Sequence, residues 1–176
     1  MHVSVARELD LAEIAALVNS AFRGDSSRVG WTTEADMVGG QRTDVEFLRA
    51  NLAERSGAVL LTMRDRPDGE LLGCVWLEPR DAEVWYLGMF TIRPDMQSRR
   101  LGRALLREAE SYAAARGARR IRMTVITVRD ELIAWYERRG YSRTGELLPF
   151  PYGDDRFGVA LRDDLEFEAL EKELEP

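Results

Sequence analysis

Apolar positions along the chain change period several times, and each change predicts an element. "HVSVA" (2–6) alternates and predicts a short strand. Leu11, Ile14, Leu17, Val18, Ala21 and Phe22 then recur at helical spacing. Asp10 and Glu13 stand before them as a capping box. The polar stretch "RGDSSRVGWTTEADMVGGQR", which contains Trp31, predicts a loop or broken helix. A second capping box at 43–46 opens a helix that should stop near Gly57. Residues 58–64, 71–78 and 83–92 carry the period of sheet and predict three antiparallel strands, with turns at "DRPDGE" and "PRDA". Pro94 ends the third. Leu101, Leu105, Ala109 and Tyr112 form one row of a helix predicted over 99–116, closed by Gly117. "RRIRMTVI" predicts a strand, "VRDELIAWYERRG" a helix closed by Gly140, and "YSRTGELL" and "RFGVALR" two more strands. Leu165, Leu170 and Leu174 predict a short terminal helix.

Helices that interrupt a mostly antiparallel sheet make an α/β sandwich. The one parallel pair is expected between 83 and 126, where a strand, a helix and a strand form a right-handed crossover. No repeat or linker interrupts the chain. The expected organisation is a single domain over 1–176, with a core at 2–163 and a helical tail at 164–176.

Composition narrows the function only a little. A hydrophobic fraction of 45% and a charged fraction of 32% suit a soluble globular protein. No apolar run approaches the roughly 18 residues of a membrane span, and no membrane role is expected. "MHVSVARELD" lacks the apolar core of a secretory signal, so a cytoplasmic protein is expected. The single cysteine, Cys74, has only His2 as a histidine companion, so no metal site is expected. Buried in mid-strand, Cys74 reads as a small hydrophobe. The net charge of −6 argues against nucleic acid and is compatible with a cationic small molecule.

The chemistry concentrates at the start of the 99–116 helix. A helix start offers unpaired N–H groups and a partial positive charge, so it can hold an anion through main chain alone. A strand running directly into such a start is a recurrent phosphate site. Ser98, Arg99, Arg100, Leu101, Gly102 and Arg103 supply up to six amides, and Gly102 permits close approach. Arg99, Arg103 and Arg107 repeat every four residues and suit a polyphosphate. The competing reading is a solvated basic face.

"TIRPDMQSRRLGRALL" resembles the acyl-CoA-binding motif of the GNAT superfamily of N-acetyltransferases, Q/R-x-x-G-x-G/A. Gln97 takes its first position and Gly102 its last, while Arg100 stands at the inner glycine. "ELIAWYERRGYSRTGE" is similar to the family's second motif, with Tyr136 four residues before Gly140 and Tyr141. The element order agrees from the first strand to about residue 163.

The resemblance implies a mixed, mostly antiparallel sheet flanked by helices, with a V-shaped split between the fourth and fifth strands. It implies acetyl-CoA as cosubstrate, its pantetheine arm along Phe90, Thr91 and Ile92 and its pyrophosphate on residues 98–103. An extended ligand can pair with open strand groups while its phosphates take the helix start. Tyr136 resembles the family's general acid, within reach of the leaving sulfur. Arg129 stands where a pantetheine-holding asparagine is common and could reach a phosphate or face solvent. Tyr86 stands where a strand Glu is common. Glu83, Glu78 and Glu34 are then the candidate bases, Glu83 and Glu34 first, with water as relay. Trp31, Phe150 and Tyr152 could wall the acceptor, with Glu34, Asp154 and Asp155 attracting an amine; equally, those aromatics could pin a loop. The implied activity is acetyl transfer to a primary amine of a small molecule or peptide by direct attack in a ternary complex. A non-catalytic acyl-CoA-binding module of the same fold is the alternative. The first loop and the acidic tail could pair subunits as a homodimer.

Overall fold

The computed structural model describes residues 1–175. The elements run β1 (His2–Val5), α1 (Leu11–Phe22), β2 (Val38–Gly39), α2 (Val45–Glu54), β3 (Val59–Arg64), β4 (Leu71–Pro79), β5 (Val84–Ile92), α3 (Leu101–Ala114), β6 (Arg120–Ile126), α4 (Asp130–Glu137), β7 (Ser142–Pro149), β8 (Val159–Ala160) and β9 (Glu166–Glu173). Seven strands form one sheet in the order β1-β3-β4-β5-β6-β9-β7, and β2 with β8 makes a two-stranded ribbon. Among the described residues only β5 and β6 pair in parallel, joined by the α3 crossover.

The central strands are apolar on both faces because helices cover both faces. Along β4, Leu72, Val75 and Leu77 feed one core, where Leu101, Leu105 and Ala109 of α3 and Ile133 of α4 pack. Leu71, Cys74 and Trp76 feed the other, against Leu11, Ile14 and Val18 of α1 and Leu48 of α2. Burial pushes the Cys74 thiol up to about 12, which fits an inert packing group.

Two features of β5 open the sheet. Its parallel pairing with β6 ends after Val84↔Arg120, Trp85↔Ile121 and Tyr86↔Arg122. Beyond that point the strands diverge. A bulge follows, since Trp76 faces Gly88 and Cys74 faces Thr91, which leaves Val75 opposite two residues. Met89 in that bulge has φ 48°, and the Thr91 hydroxyl donates to the Met89 carbonyl at 3.0 Å. A bulge bends its strand and disrupts the ladder, here at the lip of the split.

Several expectations are corrected. The tail does not form a helix: Glu166–Glu173 is β9, inserted between β6 and β7. Its leucines fit either period over so short a run, and two neighbouring strands offer it a full set of backbone partners. The last residue of the predicted tail, Pro176, lies outside the described residues. "RFGVALR" contributes only the two-residue β8. Neither capping box forms as read. Asp10 accepts from the Arg7 backbone and from Arg64, while Glu13 accepts from Arg64. Helix α2 is capped by Asp44, which accepts from the Phe47 amide at 2.8 Å, rather than by Thr43.

Candidate functional site

A cavity of about 840 Å³ occupies the split between β5 and β6. Its mouth is the turn from β5 into α3. The first backbone bond at this helix start is Ala104 N–H to the Arg100 carbonyl, at 3.2 Å. None of the amides of residues 98–103 donates to an acceptor among the described residues. Ser98 and Arg100 adopt φ of 75° and 63°, a left-handed geometry that turns successive amides toward one side. The inner glycine of the motif is thus a conformational requirement, and Arg100 meets it with strain. Its side chain is exposed, and so are those of Arg99, Arg103 and Arg107. Leu101 puts its side chain into the core and offers only its amide.

Gly102 sits against the aromatic wall, with room for no more than a small side chain. A Cβ there would lie 3.4 Å from the Trp135 ring and 3.7 Å from Phe90 and Ile92. Trp135 in turn packs 6.0 Å from Phe90, 6.4 Å from Trp31 and 5.1 Å from Tyr136, between ring centroids. Arg139 covers its other side at 3.5 Å. This aromatic wall leads to Tyr136, which is 4% exposed. Burial raises the Tyr136 phenol above its ordinary range, against the opposing pull of Arg129. The phenol therefore keeps its proton at neutral pH.

The far end of the cavity is built from charge. Glu34 is buried and accepts from Arg23 and, at 2.9 Å, from Arg129; Arg42 lies 3.9 Å away. Arg129 also donates to the Thr32 carbonyl at 2.6 Å. Burial alone would raise the Glu34 carboxyl, but the Arg42, Arg129 and Arg23 guanidiniums together hold it below the usual range.

The candidate residues from the sequence therefore divide. Phe90, Ile92, Ser98, Arg100, Gly102, Arg103, Tyr136, Trp31, Glu34 and Arg129 all line the cavity. Thr91 is buried beneath it. Gln97 lines it too, but its side chain is committed inward. It accepts from the Trp31 amide at 2.9 Å and donates to Thr32 Oγ1 at 2.7 Å and the Ile92 carbonyl at 3.3 Å. Gly30 makes room for it, since a Cβ there would lie 2.6 Å from the Gln97 carboxamide. Arg129 is corrected from phosphate ligand to partner of Glu34. Glu83 is corrected as a base: it sits at the opposite end of β5, exposed, beside Arg119 at 3.5 Å. Glu78 is held by Arg55 and the Trp76 indole. Clamped by guanidiniums, Glu34 is a poor proton acceptor. Tyr86 lies over Gly88, its hydroxyl 3.5 Å from Thr124.

Phe150 and Tyr152 do not wall the acceptor. Phe150 stacks on Phe167 at 5.6 Å, and Tyr152 holds the Leu165 backbone through its hydroxyl at 2.7 Å. They pin the loop to β9, and Phe167 reaches the cavity in their place. Asp154 is tied to Arg156 and plays no part at the site. Sequence reasoning missed Trp135, read only as part of an apolar helix side, and Arg42, the last residue of the polar stretch "RGDSSRVGWTTEADMVGGQR". Among the described residues, no cluster of His, Cys, Asp and Glu could hold a metal, and no helix is long and apolar enough to cross a membrane.

The sequence profile of the acetyltransferase (GNAT) family matches residues 14–141. No curated protein matches the chain. Solved structures do. A ribosomal-protein-alanine N-acetyltransferase from Brucella melitensis is 20% identical over 99% of this chain and 100% of its own, with a TM-score of 0.71. An acetyltransferase from Salmonella typhimurium, solved with its cofactor acetyl-CoA, is 18% identical over 100% and 95%, with a TM-score of 0.70. A spermidine N-acetyltransferase variant from Vibrio cholerae is 15% identical over 98% and 95%, with a TM-score of 0.67. At these identities the likeness is one of fold.

Proposed function

Because the chain belongs to the GNAT acetyltransferase family, we propose that it moves an acetyl group from acetyl-CoA to a primary amine by direct attack in a ternary complex. The observation that carries this reading is the run of six unpaired amides at residues 98–103, opening onto a cavity with Tyr136 inside it. Those amides, with Arg99 and Arg103 beside them, suit a diphosphate. The free edge of β5 beyond Tyr86 suits the amides of a pantetheine arm, and backbone near Phe90 would polarise the thioester carbonyl.

Acetyl-CoA supplies an activated acyl group. The amine nitrogen bonds to the carbonyl carbon, the carbon–sulfur bond breaks, and one proton passes from nitrogen to sulfur overall. A thiol is the stronger acid than a phenol, so complete transfer from Tyr136 to sulfur runs uphill. Tyr136 instead donates a hydrogen bond as charge grows on sulfur. Glu83 is remote and Glu34 is clamped, so water accepts the ammonium proton.

The test is release of free thiol from acetyl-CoA across an amine panel. Tyr136→Phe should slow kcat at least tenfold and leave the acetyl-CoA Kd within about twofold, roughly 1.4 kcal/mol of transition-state stabilisation. Equal losses in binding and rate would make Tyr136 a packing residue. Because its pKa is raised, the wild-type rate should show no alkaline decline through the ordinary tyrosine range. The lack of an unclamped carboxylate among the buried residues of the cavity favours a second reading, a non-catalytic acyl-CoA-binding module. Tight acetyl-CoA binding without thiol release would select it.

A further inference from the structure

The cleft runs through the sheet. Its mouth lies on the face covered by α3 and α4, and its far end reaches Phe22, at the end of α1 on the opposite face. At that far end the charges do not balance. Three guanidiniums, from Arg23, Arg42 and Arg129, surround the single carboxylate of Glu34. Both Glu34 oxygens are taken, Oε2 by Arg23 and Oε1 by Arg129. Arg42 is the one left over. Its nearest carboxylate oxygen is 3.9 Å away, and its guanidinium donates no hydrogen bond among the described residues. It lies 5.3 Å over the Phe22 ring, about one-third exposed, and both residues line the cavity.

Arg23, Arg129 and Glu34 are buried and leave one positive charge in excess, and the partly exposed Arg42 adds a second at the cavity wall; such an excess is costly unless an anion offsets it. Burial chiefly, and the neighbouring Arg42 charge additionally, hold the Arg23 and Arg129 guanidiniums below their usual pKa. The cofactor phosphates have their own seat at residues 98–103, on the other face. The other carboxylate lining the cavity, Glu131, is exposed on the first turn of α4. A polyamine would bring more positive charge to guanidiniums. A small amine that carries a carboxylate would supply the missing one, with Arg42 as its fork.

We propose that the acceptor is an α-amino carboxylate, a free amino acid or a close derivative, seated by its carboxylate on Arg42 with its amine turned toward the thioester. The inference rests on the acetyl-transfer reading for its chemistry, and it reverses the expectation of a cationic substrate drawn from net charge. That −6 is distributed over the surface; the field inside the cleft has the opposite sign.

The test compares L-methionine and L-phenylalanine with their carboxamides, which keep the shape and remove only the charge, and with spermidine. Thiol release should favour each acid over its amide at least tenfold in kcat/KM, although the amide's less basic amine works the other way. In Arg42→Gln the ratio should fall toward one, and Arg42→Lys should keep part of it. Equal rates for acid and amide, a preference for spermidine, or an unchanged ratio in Arg42→Gln would overturn the proposal. A second readout does not need turnover: calorimetry of N-acetyl-L-methionine and its amide on the protein loaded with coenzyme A. Arg42-dependent binding of the acid without thiol release keeps the carboxylate seat and sinks acetyl transfer. Indiscriminate transfer does the reverse. No binding and no preference sinks the seat.

Discussion

The two ends of the cleft carry positive potential by different means. At the mouth it comes from six consecutive unpaired amides, held by two left-handed residues and a helix that starts just after them. At the far end, four charged side chains arrive from separate places: Arg23 after α1, Glu34 and Arg42 on either side of β2, and Arg129 before α4. A main-chain site is compact in sequence and tolerant of side-chain identity. A side-chain cluster is neither, and removing Glu34 leaves its guanidinium partners buried without compensation. The ends should therefore respond very differently to substitution.

The largest effect is expected at the far end. Glu34→Gln leaves three guanidiniums around a neutral amide, and breaking a buried pair in this way costs about 3–5 kcal/mol. Urea unfolding at neutral pH should show a loss of that size. A loss below about 1 kcal/mol would mean that water already screens the cluster. The pH dependence has a definite sign. The Glu34 carboxyl lies below its ordinary value in the folded protein, so its stabilisation is present above the usual glutamate range and fades as pH falls through the depressed folded value. The gap between wild type and variant should narrow over that window.

At the mouth, charge should matter less than main chain. Reversing both Arg99 and Arg103 to Glu should weaken coenzyme A by about tenfold to a hundredfold, since each exposed charge-assisted contact is worth about 1 kcal/mol. Pantetheine, which lacks the phosphates, should be nearly unaffected in titration calorimetry. Equal weakening of both ligands would remove the phosphate role of these arginines. Raising salt should reduce the difference, because exposed charges are screened.

This contrast also explains what could be read from the sequence. Strand period, the Pro94 stop and the run into α3 are local signals, so β3 to β6 and the amide cradle were legible within a residue or two. Tyr136 and Gly102 were legible because short motifs carry them. Arg129 was legible as a departure from a motif but not as the partner of Glu34, 95 positions away. Arg42 gave no local sign, since a charged residue in a polar loop is usually solvated. Tail residues 166–173 were misread because leucine spacing over one short segment cannot tell a helix from a strand, and the deciding partners, β6 and β7, lie far along the chain, from Pro149 opposite Glu166 to Arg120 opposite Glu173. Phe150 and Tyr152 were left open between acceptor wall and loop pin for the same reason: their partners, Phe167 in that segment and Leu165 just before it, gave no local signal.

The smallest effect is the sharpest test of main-chain recognition. Arg100 occupies the left-handed region at φ 63° and ψ 8°, at the N-cap of α3, with an exposed side chain. A non-glycine residue there carries roughly 1–2 kcal/mol of strain, which glycine relieves while giving back about 0.4–1 kcal/mol through a freer unfolded chain. Arg100→Gly should therefore raise stability by no more than about 1.6 kcal/mol, a melting shift of at most about 6 °C for a chain of this size. Acetyl-CoA affinity should stay within about threefold, because the amide that faces the diphosphate is unchanged. A tenfold loss would show that the Arg100 guanidinium, not the backbone, grips the phosphates, and the mouth would then work by side chains as the far end does.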